Sequence, residues 1–146
     1  MNPISFASGL VAECGPLETI RAAAAGGFDA VGLWVEPDSW TAATTRDCRG
    51  ALAETCLVLL DVEVVWIKPG SSMASHKAVI DIGAELGAKN VLCVSSDPDM
   101  GATAAALAEL CRHAEASAIR VALEFGIFTE VKNVSALPQI ASTQRA

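Results

Sequence analysis

The sequence predicts an α/β protein built from parallel βα repeats. Three observations carry that reading. Strand-like runs start near residues 4, 29, 62, 90 and 120, so the unit repeats about every 29 residues, enough for a strand, a helix and their connections. The later strand runs are almost continuously apolar, as strands covered on both faces must be. No two runs are joined by a tight hairpin turn, which argues against an antiparallel sheet.

The elements follow in order. The first strand is read at 4–9. Pro16 opens a helix that places Leu17, Ile20, Ala23 and Ala24 on one face, and Gly26-Gly27 stops it. A second strand follows at 28–35, with Pro37 and Asp38 marking the loop after it. Thr44 or Thr45 is the expected cap of a helix over 46–55. The run 57–67 holds the third strand, clearest at 62–67, and Pro69-Gly70 ends it. Ser71 or Ser72 caps a helix to Leu86 whose apolar positions Val79, Ile82, Gly83 and Leu86 keep helical spacing, with Gly87 as its stop. The fourth strand is 90–95. Asp97-Pro98-Asp99 then offers a capping aspartate to a helix over 101–116, with Ala104, Leu107, Ala108 and Cys111 inward. The fifth strand is 119–125. A weaker helix is expected near Ser135, with Pro138 in its first turn.

Two parallel architectures accommodate this pattern. One is an open doubly wound sheet, complete at five strands. The other is a (βα)8 barrel, which typically needs about 250 residues, so that the 146 residues here make about four and a half units. Periodicity alone does not choose between them. Either way the length suits a single domain spanning 1–146.

Composition narrows the function. The formal net charge is −7, the wrong sign for non-specific contact with phosphates or with anionic membrane surfaces. No nucleic-acid or membrane partner is expected. The richest apolar run, 56–67, is too short for a membrane span and carries Asp61 and Glu63. The first ten residues hold no Lys or Arg, so no charged leader is read. Cys14, Cys48, Cys56, Cys93 and Cys111 are odd in number and scattered, without a Cys-x-x-Cys pair. They read as small hydrophobes in a reducing compartment, and the cytoplasm is the expected location.

In both architectures ligands bind at the carboxyl ends of the strands. Those ends carry Ser8-Gly9, Trp34 and Glu36, Trp66 and Lys68, Ser95-Ser96-Asp97, and Glu124. Glu124 stands out, because it follows Val121-Ala122-Leu123 and reads as part of the strand itself. A carboxylate there is costly unless it is paired or binds a cation. The alternative is a strand-end glutamate held by a neighbouring lysine or by water. Trp34 and Trp66 form either a sugar-stacking wall or ordinary packing, and Lys68 either an anion contact or a solvated rim. Glu36 and Asp97 have weaker cases, since acids beside proline are common in turns. His76 and His113 fall within helices and read as surface or structural. The run 70–77 lacks the second glycine and the ending of a phosphate loop, and no Gly-x-Gly-x-x-Gly or Gly-x-Ser-x-Gly is present.

Four passages then stand in a familiar order: Gly27-Phe28-Asp29-Ala30-Val31-Gly32-Leu33, Asp61-Val62-Glu63-Val64-Val65-Trp66, the stretch from Ile82-Gly83-Ala84-Glu85-Leu86-Gly87 to Ala88-Lys89-Asn90-Val91, and Val121-Ala122-Leu123-Glu124-Phe125. Together they resemble the xylose-isomerase-like TIM barrels. These are the sugar phosphate isomerase/epimerase proteins, with hydroxypyruvate isomerase, ketose 3-epimerases, inosose dehydratase and endonuclease IV among the relatives. The resemblance implies a divalent metal (Mn, Mg, Co or Zn) held by Glu, Asp, His and Glu from four later strands. Glu124 matches the first of these and is, by the same resemblance, an acid/base carboxylate. The implied chemistry is proton abstraction next to a carbonyl of a small sugar-like substrate, with the metal polarising the sugar oxygens.

The sequence departs from that pattern in one respect. The Asp, His and second Glu belong to strands six to eight, which these 146 residues do not contain. The expectation is therefore a partial TIM barrel, either a fragment of a longer protein or a half-barrel that must assemble. Glu124 is expected as metal ligand and catalytic base, and Trp34, Trp66 and Lys68 as substrate contacts. Metal binding by this chain alone should be weak or absent, and the isolated chain inactive. Expected partners are the substrate and either a second copy or a missing C-terminal half. Two other readings stand beside it: a non-catalytic half-barrel, and a complete five-stranded open sheet binding a small ligand.

Overall fold

The computed structural model describes residues 2–126 and 129–133. Five strands alternate with four α-helices: β1 Ser5–Phe6, α1 Pro16–Ala25, β2 Ala30–Trp34, α2 Ala42–Thr55, β3 Val58–Ile67, α3 Met73–Leu86, β4 Asn90–Ser95, α4 Met100–Glu115 and β5 Arg120–Leu123. One 3-10 turn, Ser8–Val11, follows β1.

The strands lie in sequence order, β1-β2-β3-β4-β5, and every neighbouring pair is parallel. Successive helices pack on one another, α1 on α2, α2 on α3 and α3 on α4, as one layer against the sheet. A doubly wound sheet would put strand one in the middle and helices on both faces. The observed order and single helical layer are those of a barrel wall, and the chain forms a partial TIM barrel.

The core lies between that layer and one face of the sheet. Val31, Leu33 and Val35 from β2 and its end, Leu59, Val62, Val65 and Ile67 from β3, and Val91 and Cys93 from β4 meet Ile20, Cys48, Leu52, Val79, Ile80, Leu107 and Leu110 from the helices. Gly83 sets the approach of α3. A β-carbon there would stand 2.6 Å from Val62 Cγ2 and 3.1 Å from Ile119 Cδ1, closer than carbon atoms tolerate. The glycine therefore trades helix propensity for contact between α3 and β3.

Local signals place most boundaries. Ser72 caps α3 by accepting from Ser75 N–H, Asp99 caps α4, and Gly87 ends α3 in the left-handed region at φ 82°. Several expectations need correction. The cap of α2 is Thr41, which accepts from Thr44 N–H at 3.1 Å, and not Thr44 or Thr45. Thr45 instead turns inward and accepts from Trp40 Nε1. β1 is shorter than 4–9, because the chain turns into the 3-10 segment at Ser8. β3 is longer than 62–67, starting at Val58. The buried face of α4 is rotated toward Thr103, Leu110 and Ala114, leaving Ala108 and Cys111 at its border. In α3, Ile80 is fully buried where Ile82 was expected. The helix expected near Ser135 lies outside the described residues. No helix among the described residues is long and apolar enough to cross a membrane.

Candidate functional site

Strand parity decides which side chains face away from the helices. Side chains alternate along a strand, and Val62 packs on α3 at Gly83. Its neighbours Asp61 and Glu63 therefore point to the other, inner face. The same argument puts Gly32 and Trp34 of β2 inside, between the core residues Val31, Leu33 and Val35. Glu124 follows Leu123, which packs against the core, so Glu124 also belongs to the inner face.

β5 pairing ends at Leu123, one residue before the expected carboxylate. Glu124 N–H still donates to Cys93 O at 2.8 Å, which holds its backbone beside β4. Its side chain is exposed rather than enclosed in the strand, so it does not carry the burial cost that the sequence suggested. Its charge nevertheless reaches β3. Asp61 is pushed up from 3.8 to about 6, mainly by burial, then by the negative charges of Glu63 and Glu124. Three carboxylates, two on β3 and one just past the end of β5, thus share one face. Gly32 makes room for this arrangement, since a β-carbon there would strike the Asp61 carboxylate.

Three of the four expected site residues come together elsewhere on the same rim. Trp34, Trp66 and Lys68 line one cavity of about 290 Å³ between the ends of β2 and β3 and the start of α3. Lys68 Nζ sits over the Trp66 ring, 4.1 Å from its centroid, a cation–π contact that orients both groups. Trp66 Nε1 donates to Ser96 Oγ at 2.9 Å. Trp34 is 43% exposed, and its Nε1 donates to Glu36 Oε1 at 2.5 Å. Glu124 does not line this cavity.

His76 also lines it and is buried, with Nε2 at 2.9 Å from Ser71 Oγ. Burial lowers its pKa, which favours the neutral ring. Of the two sequence-based readings of His76, surface or structural, the surface one fails. His113 pairs with Asp81 at 2.6 Å, tying α4 to α3 away from the strand ends. All five cysteines are free, and burial pushes the Cys48 and Cys93 thiols up to about 11 and about 12, which removes them as nucleophiles.

Sequence reasoning missed Asp61 and Glu63. A signal was present: two acids two residues apart in an apolar strand must share a face. Among the described residues no three His, Cys, Asp or Glu side chains converge so that they could hold a metal ion. The described residues therefore do not by themselves fit the divalent metal that this kind of barrel suggests.

The sequence matches no family model. No curated protein matches it in sequence. Solved structures do match in shape. Protein SMc04130 from Sinorhizobium meliloti 1021 superposes with a TM-score of 0.80 at 18% identity over 98% of this chain and 60% of its own. The IolI protein with a bound zinc atom superposes at 0.78 and 15% identity, over 99% of this chain and 60% of its own. A xylose isomerase-like TIM barrel protein from Mycobacterium smegmatis in complex with magnesium gives 0.67 at 16% identity, over 88% and 52%.

The fold is that of the xylose isomerase-like TIM barrels.

Other barrels of this fold that match include a D-psicose 3-epimerase and a probable 3-DHS dehydratase. Against these xylose isomerase-like barrels the chain covers about 60% of the partner's length. In such a barrel the inner face is the lumen side and the carboxyl ends of the strands form the ligand-binding end. Trp34, Trp66, Lys68 and Glu124 all lie at or just past the carboxyl ends of their strands.

Proposed function

We propose that this chain supplies the first five strands of a metal-assisted sugar isomerase or epimerase. Glu124 is its acid/base carboxylate and one donor to the divalent metal. The observation that supports this reading is the placement of Glu124. It is an exposed carboxylate at the carboxyl end of β5, on the inner face, with its charge felt by Asp61.

The chain's own part in the chemistry follows. An exposed carboxylate positioned beside the substrate takes a proton from the carbon next to a carbonyl and can return it. Trp34 and Trp66 present indole surface to the non-polar face of a small polyhydroxylated substrate, and Lys68 offers a positive charge to a substrate oxygen. Glu124 would give one carboxylate to such a metal, and the further donors would have to come from outside the described residues. The isolated chain is accordingly proposed to bind divalent metal weakly and to be inactive. Its five free cysteines suit the cytoplasm as compartment.

The test supplies the chain with strands six to eight of a barrel of this fold, adds Mn or Co, and follows solvent deuterium entering the carbon beside the carbonyl of a ketohexose. Exchange should need both halves and should disappear in Glu124→Gln, which keeps size and removes charge and basicity. Equal exchange in that variant removes Glu124 from the chemistry.

A second reading, association without catalysis, draws on exposed apolar side chains at Val58, Leu60 and Phe125 and on the open edges of β1 and β5. Sedimentation of the isolated chain as a stable monomer at micromolar concentration would count against it.

A further inference from the structure

A cavity of about 640 Å³ lies between the ends of β1 and β2, beside the cavity of Trp66 and Lys68 and sharing Trp34 and Glu36 with it. That volume is in the range of small-ligand pockets. Two indoles, Trp34 and Trp40, provide its large apolar walls. Both indole N–H groups are already committed, Trp34 to Glu36 Oε1 at 2.5 Å and Trp40 to Thr45 Oγ1 at 2.9 Å. The rings are therefore oriented, and they present carbon surface instead of donors.

The charge pattern is equally one-sided. Among the described residues no Lys, Arg or His lines the cavity, while Glu36 does. Helix amino ends often receive anions, but each of the two here already has an N–H taken by a side chain of its own first turn or cap. At the start of α1, Gly15 N–H donates to Glu18 Oε2 at 3.1 Å, Pro16 has no N–H, and the Glu18 carboxylate occupies the end of the helix. At the start of α2, Thr44 N–H is taken by Thr41 Oγ1. The polar side chains of the lining are the Glu36 carboxylate, the hydroxyls of Ser8, Ser39 and Thr44, and the Cys14 thiol, groups that suit neutral donors such as alcohols.

We propose that this cavity is a subsite for an uncharged ring with a flat apolar face, stacked on Trp34 and Trp40, and that it rejects phosphate esters. The proposal rests on the strand ends being the substrate side of the barrel. It adds that the part of the substrate lodged here is not phosphorylated.

Cys14 lines the cavity and is partly exposed, whereas Cys56 is exposed at the far end of α2. The pair permits a direct test on the chain with EDTA present. Alkylation by iodoacetamide is mapped residue by residue, with phenyl β-D-glucopyranoside as probe and glucose 6-phosphate as the charged comparator. At ten times its dissociation constant, read from tryptophan fluorescence, the phenyl glucoside should slow modification of Cys14 about tenfold by occupancy alone. Cys56 should not change, glucose 6-phosphate should not protect, and Trp34→Ala should lose the protection while keeping its far-UV spectrum. Protection by glucose 6-phosphate equal to that of the glucoside overturns the proposal. So does an unprotected Cys14, or undiminished protection in Trp34→Ala. Because metal is excluded and no turnover is read, failure of the catalytic reading and failure of the subsite show separately.

Discussion

The Ser8 hydroxyl donates a hydrogen bond to Glu63 Oε1 across the intervening strand β2. Ser8 is buried in the 3-10 turn after β1, and Glu63 lies on the inner face of β3 opposite Trp34. The bond thus ties the short first strand to the third at the carboxyl end, where β1 itself offers only two residues of pairing.

Ser8→Ala should destabilise the chain by about 1–2 kcal/mol, because it leaves a half-buried carboxylate without its donor. Urea unfolding is the measurement. The midpoint should fall with an unchanged m-value, and a midpoint equal to the parent's would mean that water replaces the hydroxyl at no cost.

Two glycines in helices should respond in opposite directions to alanine. Gly83→Ala gains helix propensity but drives a methyl group into Val62 and Ile119, so a net loss of about 1–2 kcal/mol is expected. Gly50 of α2 has open space where a β-carbon would stand, and Gly50→Ala should stabilise by up to about 1 kcal/mol. Thermal unfolding of the two variants side by side checks the sign of each.

Asp61 should make stability fall as pH rises. The folded chain holds its proton up to about pH 6, whereas an unfolded aspartate releases it near 3.8. Between those values the folded state binds more protons, so each step up in pH favours unfolding, and the penalty is complete above about 6. With partial solvent contact discounted, the full effect is about 2 kcal/mol. Asp61→Asn should therefore be more stable than the parent at pH 7 by that amount and indistinguishable from it below about pH 4. Denaturant titrations at the two pH values decide the matter, and a gap that stays constant with pH would show that Asp61 ionises normally.

Part of the candidate site was legible in the sequence. Trp34, Trp66 and Lys68 each stand out in the sequence as strand-end residues, and they share a cavity. Glu124 was read one residue too far into its strand, because an apolar run does not show where the β4 ladder stops. The spacing of Asp61 and Glu63 shows in the sequence that they share a face, but not what they meet there. What gives them weight is the Glu124 charge arriving from β5 and the Ser8 hydroxyl from the turn after β1, and neither is adjacent in sequence.

The sequence by itself determined the βα rhythm and most helix ends. Ser72, Gly87 and Asp99 act on backbone groups within one turn of themselves, and such contacts form wherever the helix lies. The tertiary structure alone decided between barrel wall and open sheet, since an apolar strand buried on both faces reads the same in either. It also decided how the buried faces of α3 and α4 are turned. Ile80 and Ile82 are the same residue type, and what separates them is the strand that α3 meets. The inner-face carboxylates belong to the same class, because their mutual repulsion depends on β3 and β5 being held on either side of β4.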